Sequence, residues 1–144
     1  MIYKFTIPVK PVAKQSFRAI AAKKGAIHGF TADHITKNKL TIQKYIKSQL
    51  KRPVIPATSW CRINRLHFIF TRPVKMAKEL DLMTDLHEPR IPKTTKPDLD
   101  NLIKQVLDSI KGILISDDNI VCEFRNVGKY YGKEDCIIIE IEGH

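Results

Sequence analysis

The run from Leu99 to Lys111 constrains the fold more than any other stretch of this chain. Leu99, Leu102, Ile103, Val106, Leu107 and Ile110 recur at i, i+3, i+4 and i+7, the period of a helix with one apolar stripe. Asp98, directly after Pro97, is placed to cap that helix, and Gly112 sits where its carboxyl end would close. A stripe confined to one side must be buried against another element, and the flanking segments offer a sheet. Residues 2–7 alternate apolar and polar until Pro8 ends the run. Trp60 to Phe70 carries Ile63, Leu66, Phe68 and Phe70 in a strand-like stretch closed by Thr71-Arg72-Pro73. Two further strands are predicted over 120–127 and 135–141, joined by a turn at Tyr131-Gly132-Lys133-Glu134. Thr31 or Asp33 can cap a second helix reaching about Lys51, with Ile35, Ile42, Tyr45, Ile46 and Gln49 near one face and five lysines (37, 39, 44, 47 and 51) outside. Pro53 and Pro56 stop it. Residues 10–31 read as a long basic loop. Met76 to Leu86 can hold a helical turn or two before Pro89, Pro92 and Pro97 keep the chain extended. The order β-loop-α-β-loop-α-β-β predicts a single α/β (α+β) domain over 1–144, a mixed sheet with two helices.

A chain of 144 residues buries enough surface to fold without a disulfide or metal staple. Cys61, Cys122 and Cys136 are odd in number and form no C-x-x-C pair, and the five histidines lack zinc-ligand spacing. Reduced, mostly buried thiols are therefore expected. Apolar runs such as Ile137-Ile138-Ile139 are far short of a membrane span, and the amino terminus alternates instead of forming the apolar core of a secretory signal. The expectation is a cytoplasmic protein with no membrane partner.

Charge divides the chain. Residues 1–97 carry 20 basic and 5 acidic side chains, whereas residues 98–144 carry 5 basic and 10 acidic, within an overall charge of +10. That division favours a polyanionic partner, with a separate place for carboxylates, over a basic surface kept only for solubility. The strongest candidates for phosphate contacts are Lys10, Lys14, Arg18, Lys23 and Lys24 in the long loop, with Lys93 and Lys96 ahead of the acidic half. The lysines of the 33–51 helix read instead as a solvated face.

The segment Lys96-Pro97-Asp98-Leu99-Asp100-Asn101-Leu102-Ile103-Lys104 concentrates chemistry. Asp98 and Asp100 crowd a helix start, where unpaired backbone N–H groups point outward. Lys104 stands one turn after Asp100. Asp117-Asp118 follows Gly112 after a short apolar stretch, and the returning chain can bring a third carboxylate to the first two. A purely structural account exists: a cap, a favourable first-turn acid and an ordinary Asp-Asp-Asn turn. Against it, carboxylates gathered in a basic protein repel a phosphate backbone unless a cation lies between them. Three carboxylates and a lysine are the minimum for metal-assisted phosphodiester hydrolysis.

Lys96 to Lys104, then Val106-Leu107-Asp108, Gly112 and Asp117-Asp118, resembles the RusA family of Holliday-junction resolvases. That family's signature is KPDxDNLxK followed by DD; Asp98 and Asp118 stand 20 residues apart. Ile7-Pro8-Val9-Lys10-Pro11-Val12-Ala13-Lys14-Gln15 is similar to its opening strand and Pro/Lys-rich turn. Family members often carry clustered arginines near Lys14 to Arg18, whereas Gln15, Ser16 and Phe17 intervene here and only Arg18 remains. The resemblance implies a Mg²⁺-dependent endodeoxyribonuclease (Mn²⁺ able to substitute) of bacteria, phages or prophages. It would act as a homodimer on branched DNA, resolving four-way junctions by paired symmetric nicks in recombination and repair. It further implies that Asp98, Asp100 and Asp118 hold the metal with Asp117 beside them, that Lys104 assists catalysis, and that the basic loop touches DNA. Two other readings stay open: a basic nucleic-acid-binding protein without catalysis, and a nuclease with the same carboxylates acting on flaps, single strands or RNA. Dependence on a divalent ion separates binder from nuclease.

Overall fold

The computed structural model describes residues 1–14, 32–51, 54–78 and 91–144. Two helices pack against a six-stranded mixed sheet. Strands β1 (Ile2–Ile7), β2 (Cys61–Thr71), β3 (Ile91–Pro92), β4 (Val121–Phe124), β5 (Val127–Gly132) and β6 (Cys136–Gly143) alternate along the chain with α1 (Ala32–Gln49) and α2 (Leu99–Ile110). The sheet runs β1-β6-β2-β5-β3, with β4 also on β2. β1 and β2 flank β6 antiparallel, β3 is antiparallel to β5, and β4 and β5 lie end to end along the far edge of β2, both parallel to it.

The alternation read in β1 is real: Tyr3, Phe5 and Ile7 are buried while Ile2, Lys4 and Thr6 face out. The single strand predicted over 120–127 is instead two. The register of β2 against β6 shifts between Ile63 and Arg65, and its neighbour jogs at the same level through Arg125 and Asn126. There the Arg125 N–H donates to the Ile63 carbonyl and the Leu66 N–H to that of Asn126. β5 then runs through Tyr131 and Gly132, which were expected to begin a turn.

α2 starts and ends as its pattern predicts, but its buried face is rotated. Leu102, Gln105, Val106, Ser109 and Ile110 are buried, whereas Leu99, Ile103 and Leu107 are only part-buried. The cause is a second contact, with α1. Gln105 Nε2 donates to the Ile35 carbonyl at 3.0 Å and to Asn38 Oδ1 at 3.2 Å, and Ser109 Oγ donates to the Gln105 carbonyl. On α1, Ile42 and Ile46 enter the core as expected, Asn38 joins them, and Gln49 faces solvent. Asp33 lies inside α1 and so does not cap it; Thr31 is outside the described residues. Of the expected helical stretch 76–86, Val74–Met76 forms a short 3₁₀ turn and 79–90 lies outside the described residues. Gly112 has φ +76°, the left-handed conformation that closes a helix and that glycine adopts without strain. No helix among the described residues is long and apolar enough to cross a membrane.

Candidate active site

The segment entering α2 is held from one side by β5. β3 pairs with Tyr130 and Tyr131, and the Lys93 N–H donates to the Lys129 carbonyl at 3.0 Å. The Lys129 ammonium reaches across and donates to the carbonyls of Thr95 at 2.7 Å and Pro97 at 2.8 Å. The Lys93 ammonium donates to Thr95 Oγ1 at 2.6 Å and lies 5.2 Å from the Phe70 ring centre and 5.0 Å from that of Tyr131. The Thr95 hydroxyl first, then Lys93, hold the Tyr131 phenol below its ordinary pKa. Sequence reasoning missed Lys129 and Tyr131. The only signal was a polar, basic residue between the apolar positions of a strand, which reads equally well as a solvent-facing side chain.

This clamp fixes the peptide that leads directly into Asp98. Asp98 occupies the N-cap position with extended backbone, yet its carboxylate makes no capping hydrogen bond. The purely structural role offered for Asp98 is therefore not the one its side chain performs. Asp100 is exposed, and its carboxylate accepts the neighbouring Asn101 N–H at 2.9 Å. Lys104 is exposed and, among the described residues, has no carboxylate partner, so the expected pair with Asp100 is not formed. Two exposed carboxylates and an unpaired ammonium thus share the start of α2, where the helix dipole favours negative charge.

The Pro/Lys-rich turn lies against the same helix. The Lys14 N–H donates to the Asn101 carbonyl at 3.0 Å, and Asn38 Nδ2 donates to the Lys10 carbonyl at 2.9 Å. The ammonium groups of Lys14 and Lys39 both approach Asp108, at 3.5 and 3.3 Å. Lys39 therefore sits in an ion-pair network, not on a purely solvated face. Lys10, Lys14 and Lys96 are exposed and Lys93 half-buried; Arg18, Lys23 and Lys24 lie outside the described residues.

Asp117 and Asp118 are elsewhere. Asp117 Oδ1 accepts the Asp118 N–H at 2.8 Å, capping the 3₁₀ turn Asp118–Ile120, and takes a 2.8 Å ion pair from Lys111 at the carboxyl end of α2. That Lys111 bond is the main reason the Asp117 carboxyl titrates below its ordinary range, and Asp117 in turn raises Lys111. Two rulers separate this end from Asp98. The helix from Asp100 to Lys111, at ~1.5 Å per residue, is about 17 Å long. On β2, Phe68 stands opposite Lys129, whose side chain holds the Asp98 approach, and Cys61 stands opposite Val121, just past Asp118. Cys61 to Phe68 spans about 23 Å at ~3.3 Å per residue.

A Mg²⁺ ion takes its oxygen ligands at roughly 2.0–2.1 Å, so ligands on one ion lie within about 4 Å of each other. Asp98, Asp100 and Asp118 of one chain do not fit that requirement. Among the described residues no group of three or more His, Cys, Asp or Glu is gathered closely enough to hold a metal. Of the three thiols expected to be mostly buried, Cys61 is buried, Cys136 part-buried and Cys122 exposed, and burial pushes the Cys61 thiol up to about 11.

Compared with known proteins, residues 8–142 match a family model described as Endodeoxyribonuclease RusA. A search of curated proteins finds no match.

Proposed function

Because the chain belongs to the RusA endodeoxyribonuclease family, we propose that it cuts branched DNA, resolving four-way junctions by paired symmetric nicks in recombination or repair. The observation that carries this reading is the family match over nearly the whole chain, since it includes the start of α2 with its two exposed carboxylates and Lys104. Mg²⁺, with Mn²⁺ as a substitute, is the proposed cofactor, and Asp98 and Asp100, which stand together at the start of α2, are its proposed ligands; Asp118 of the same chain stands too far away to join them. Hard carboxylate oxygens suit such an ion.

The chain's own residues divide the remaining work. The Lys104 ammonium, which has no carboxylate partner among the described residues, would meet charge that builds on the phosphoryl group. Lys10, Lys14, Lys93 and Lys96 line the approaches to α2 and would take phosphates, together with Arg18, Lys23 and Lys24. Lys129 holds the peptide before Asp98 and so positions that carboxylate. The setting is the bacterial cytoplasm, where junctions arise.

The test offers labelled four-way junction, flap, duplex, single-stranded DNA and RNA to the protein at matched salt, with Mg²⁺ or with EDTA. Symmetric nicks in the junction, absent with EDTA, are expected. Binding without cutting in any divalent ion makes the protein a non-catalytic binder, and preference for flaps, single strands or RNA moves the substrate without moving the chemistry.

A further inference from the structure

We propose that Lys93, Thr95 and Tyr131 form an anion pocket that grips one phosphate of the strand being cut, next to the cutting site and separate from its carboxylates. The inference rests on the endonuclease reading and names the groups that fix where along the strand the cut falls. Its origin is a set of hydrogen-bond donors that the fold gathers and leaves partly unused.

The three groups converge from two chain segments. The Lys93 ammonium donates to Thr95 Oγ1 at 2.6 Å and to the Tyr131 phenol oxygen at 3.5 Å, and the two oxygens lie 3.4 Å apart. An ammonium carries three N–H donors, and a threonine hydroxyl and a phenol carry one O–H each. Closing the triangle takes two N–H groups and one O–H, so one N–H and one O–H remain for a further acceptor. The faces of Phe70 and Tyr131 hold the ammonium in place but accept hydrogen bonds only weakly. Thr95 is exposed and Lys93 and Tyr131 part-buried, so a large ligand can approach.

Charge makes an anion the fitting acceptor. Among the described residues no carboxylate pairs with Lys93, and Lys75, on the 3₁₀ turn Val74–Met76, adds its positive charge at Tyr131. The pocket is also fixed in advance. β3 pairs with β5, and Lys129 donates to the carbonyls of Thr95 and Pro97, so little ordering entropy opposes binding. A phosphodiester brings one negative charge and two free oxygens, one for each unused donor. Thr95 and Asp98 are three residues apart, at most about 10 Å of chain at ~3.3–3.6 Å per residue. A duplex strand presents a phosphate about every 3.4 Å of axis, which places the gripped phosphate within about three of the cut. Neighbours on one strand are nearer than phosphates across a groove, so the strand is the one being cut.

Neutral phosphates test the pocket. Junctions with a single methylphosphonate, which lacks the charge, are made with the substitution walked along the cut strand. Affinity is measured in Ca²⁺ and cutting in Mg²⁺. For the wild type, one position within about three of the cut should cost about tenfold in affinity, as for loss of a charged hydrogen bond. Tyr131→Phe keeps the ring beside Lys93 without its O–H, and Thr95→Val keeps the shape of the side chain. Combined, they should lose about tenfold on the natural junction, at an unchanged salt slope, and nothing further on the junction neutralised at that position. Lys93→Met should lower the slope by about 0.9. A neutral position that costs the double variant as much as the wild type gives the cluster a packing role only and overturns the pocket. So does a wild type that cuts junctions yet has no sensitive position near the cut, and the endonuclease reading then stands. Inorganic phosphate, titrated into the protein alone and followed by the ring signals of Tyr131, separates the other source: saturating shifts with a flat walk mean that free phosphate is the ligand, which overturns the DNA contact. A wild type that binds junctions with the sensitive position but cuts nothing overturns the endonuclease reading and leaves the pocket standing.

Discussion

Lys129 gives the sharpest way to separate holding the site from holding DNA. Its ammonium donates to two backbone carbonyls immediately before Asp98, at 2.7 and 2.8 Å. Lys129→Met keeps the length of the stem and removes both bonds. A hydrogen bond to a charged group is worth roughly 1.5–3 kcal/mol, but these carbonyls are near the surface and water replaces the donor in part, so a total loss of about 1–2 kcal/mol is expected. For a domain of this size that lowers Tm by only a few degrees. The effect on cutting is larger, because a displacement of about 1 Å in a reacting group can cost roughly 100-fold in rate. Urea unfolding, junction cleavage and junction affinity measured on one preparation give the three numbers. The expected pattern is a small stability loss, a rate loss of tenfold or more at saturating DNA, and an unchanged dependence of affinity on salt, because this ammonium is already committed to carbonyls. Lys129→Arg, which can still donate to both carbonyls, should recover much of the rate. Wild-type cleavage in Lys129→Met refutes the positioning role. A salt slope shallower by about 0.9 shows Lys129 to be a phosphate contact instead.

Lys104→Ala should change stability by no more than about 0.5 kcal/mol, since among the described residues its ammonium has no carboxylate partner, yet slow cutting at least tenfold; unchanged turnover rejects it as a charge stabiliser. Lys14→Ala combined with Arg18→Ala should reduce the log–log salt slope of junction binding, measured in Ca²⁺ to prevent cutting, by about 2. An unaltered slope there transfers the DNA contacts to the lysines of α1. The pair of Asp117 and Lys111 sets an acid dependence. The Asp117 carboxyl titrates lower folded than unfolded, so its contribution is present above the ordinary carboxylate pKa and is lost as pH falls through the lower folded value. The Tm difference between wild type and Asp117→Asn should therefore shrink from about pH 4 downward. A difference that stays constant into strong acid means the ion pair does not stabilise the fold.

Much of the fold was legible because local pattern and burial agree. β1 alternates, β2 carries its apolar residues through a long run, and α2 announces itself by period, by Pro97-Asp98 at its start and by Gly112 at its end. The departures share one cause: a partner element that local pattern does not specify. The split into β4 and β5 follows the shift in β2, a strand far away in sequence. The rotation of α2 follows from Gln105 meeting Asn38, two polar residues that look solvent-facing until Gln105 Nε2 is seen to donate to Asn38 Oδ1.

The candidate site was legible in its residues and illegible in its geometry. A spacing of 20 residues from Asp98 to Asp118 says nothing about distance, because the intervening chain can fold back or run straight. α2 occupies most of that interval and rises by about 1.5 Å per residue, so the more strongly the apolar stripe argues for a helix, the further apart it places the carboxylates at its two ends. Period and motif therefore make opposite demands on one chain: the stripe requires a rod, and a common ion requires contact. Folding Asp118 back along α2 would pull Ile120 from the core and Val121 from its place opposite Cys61.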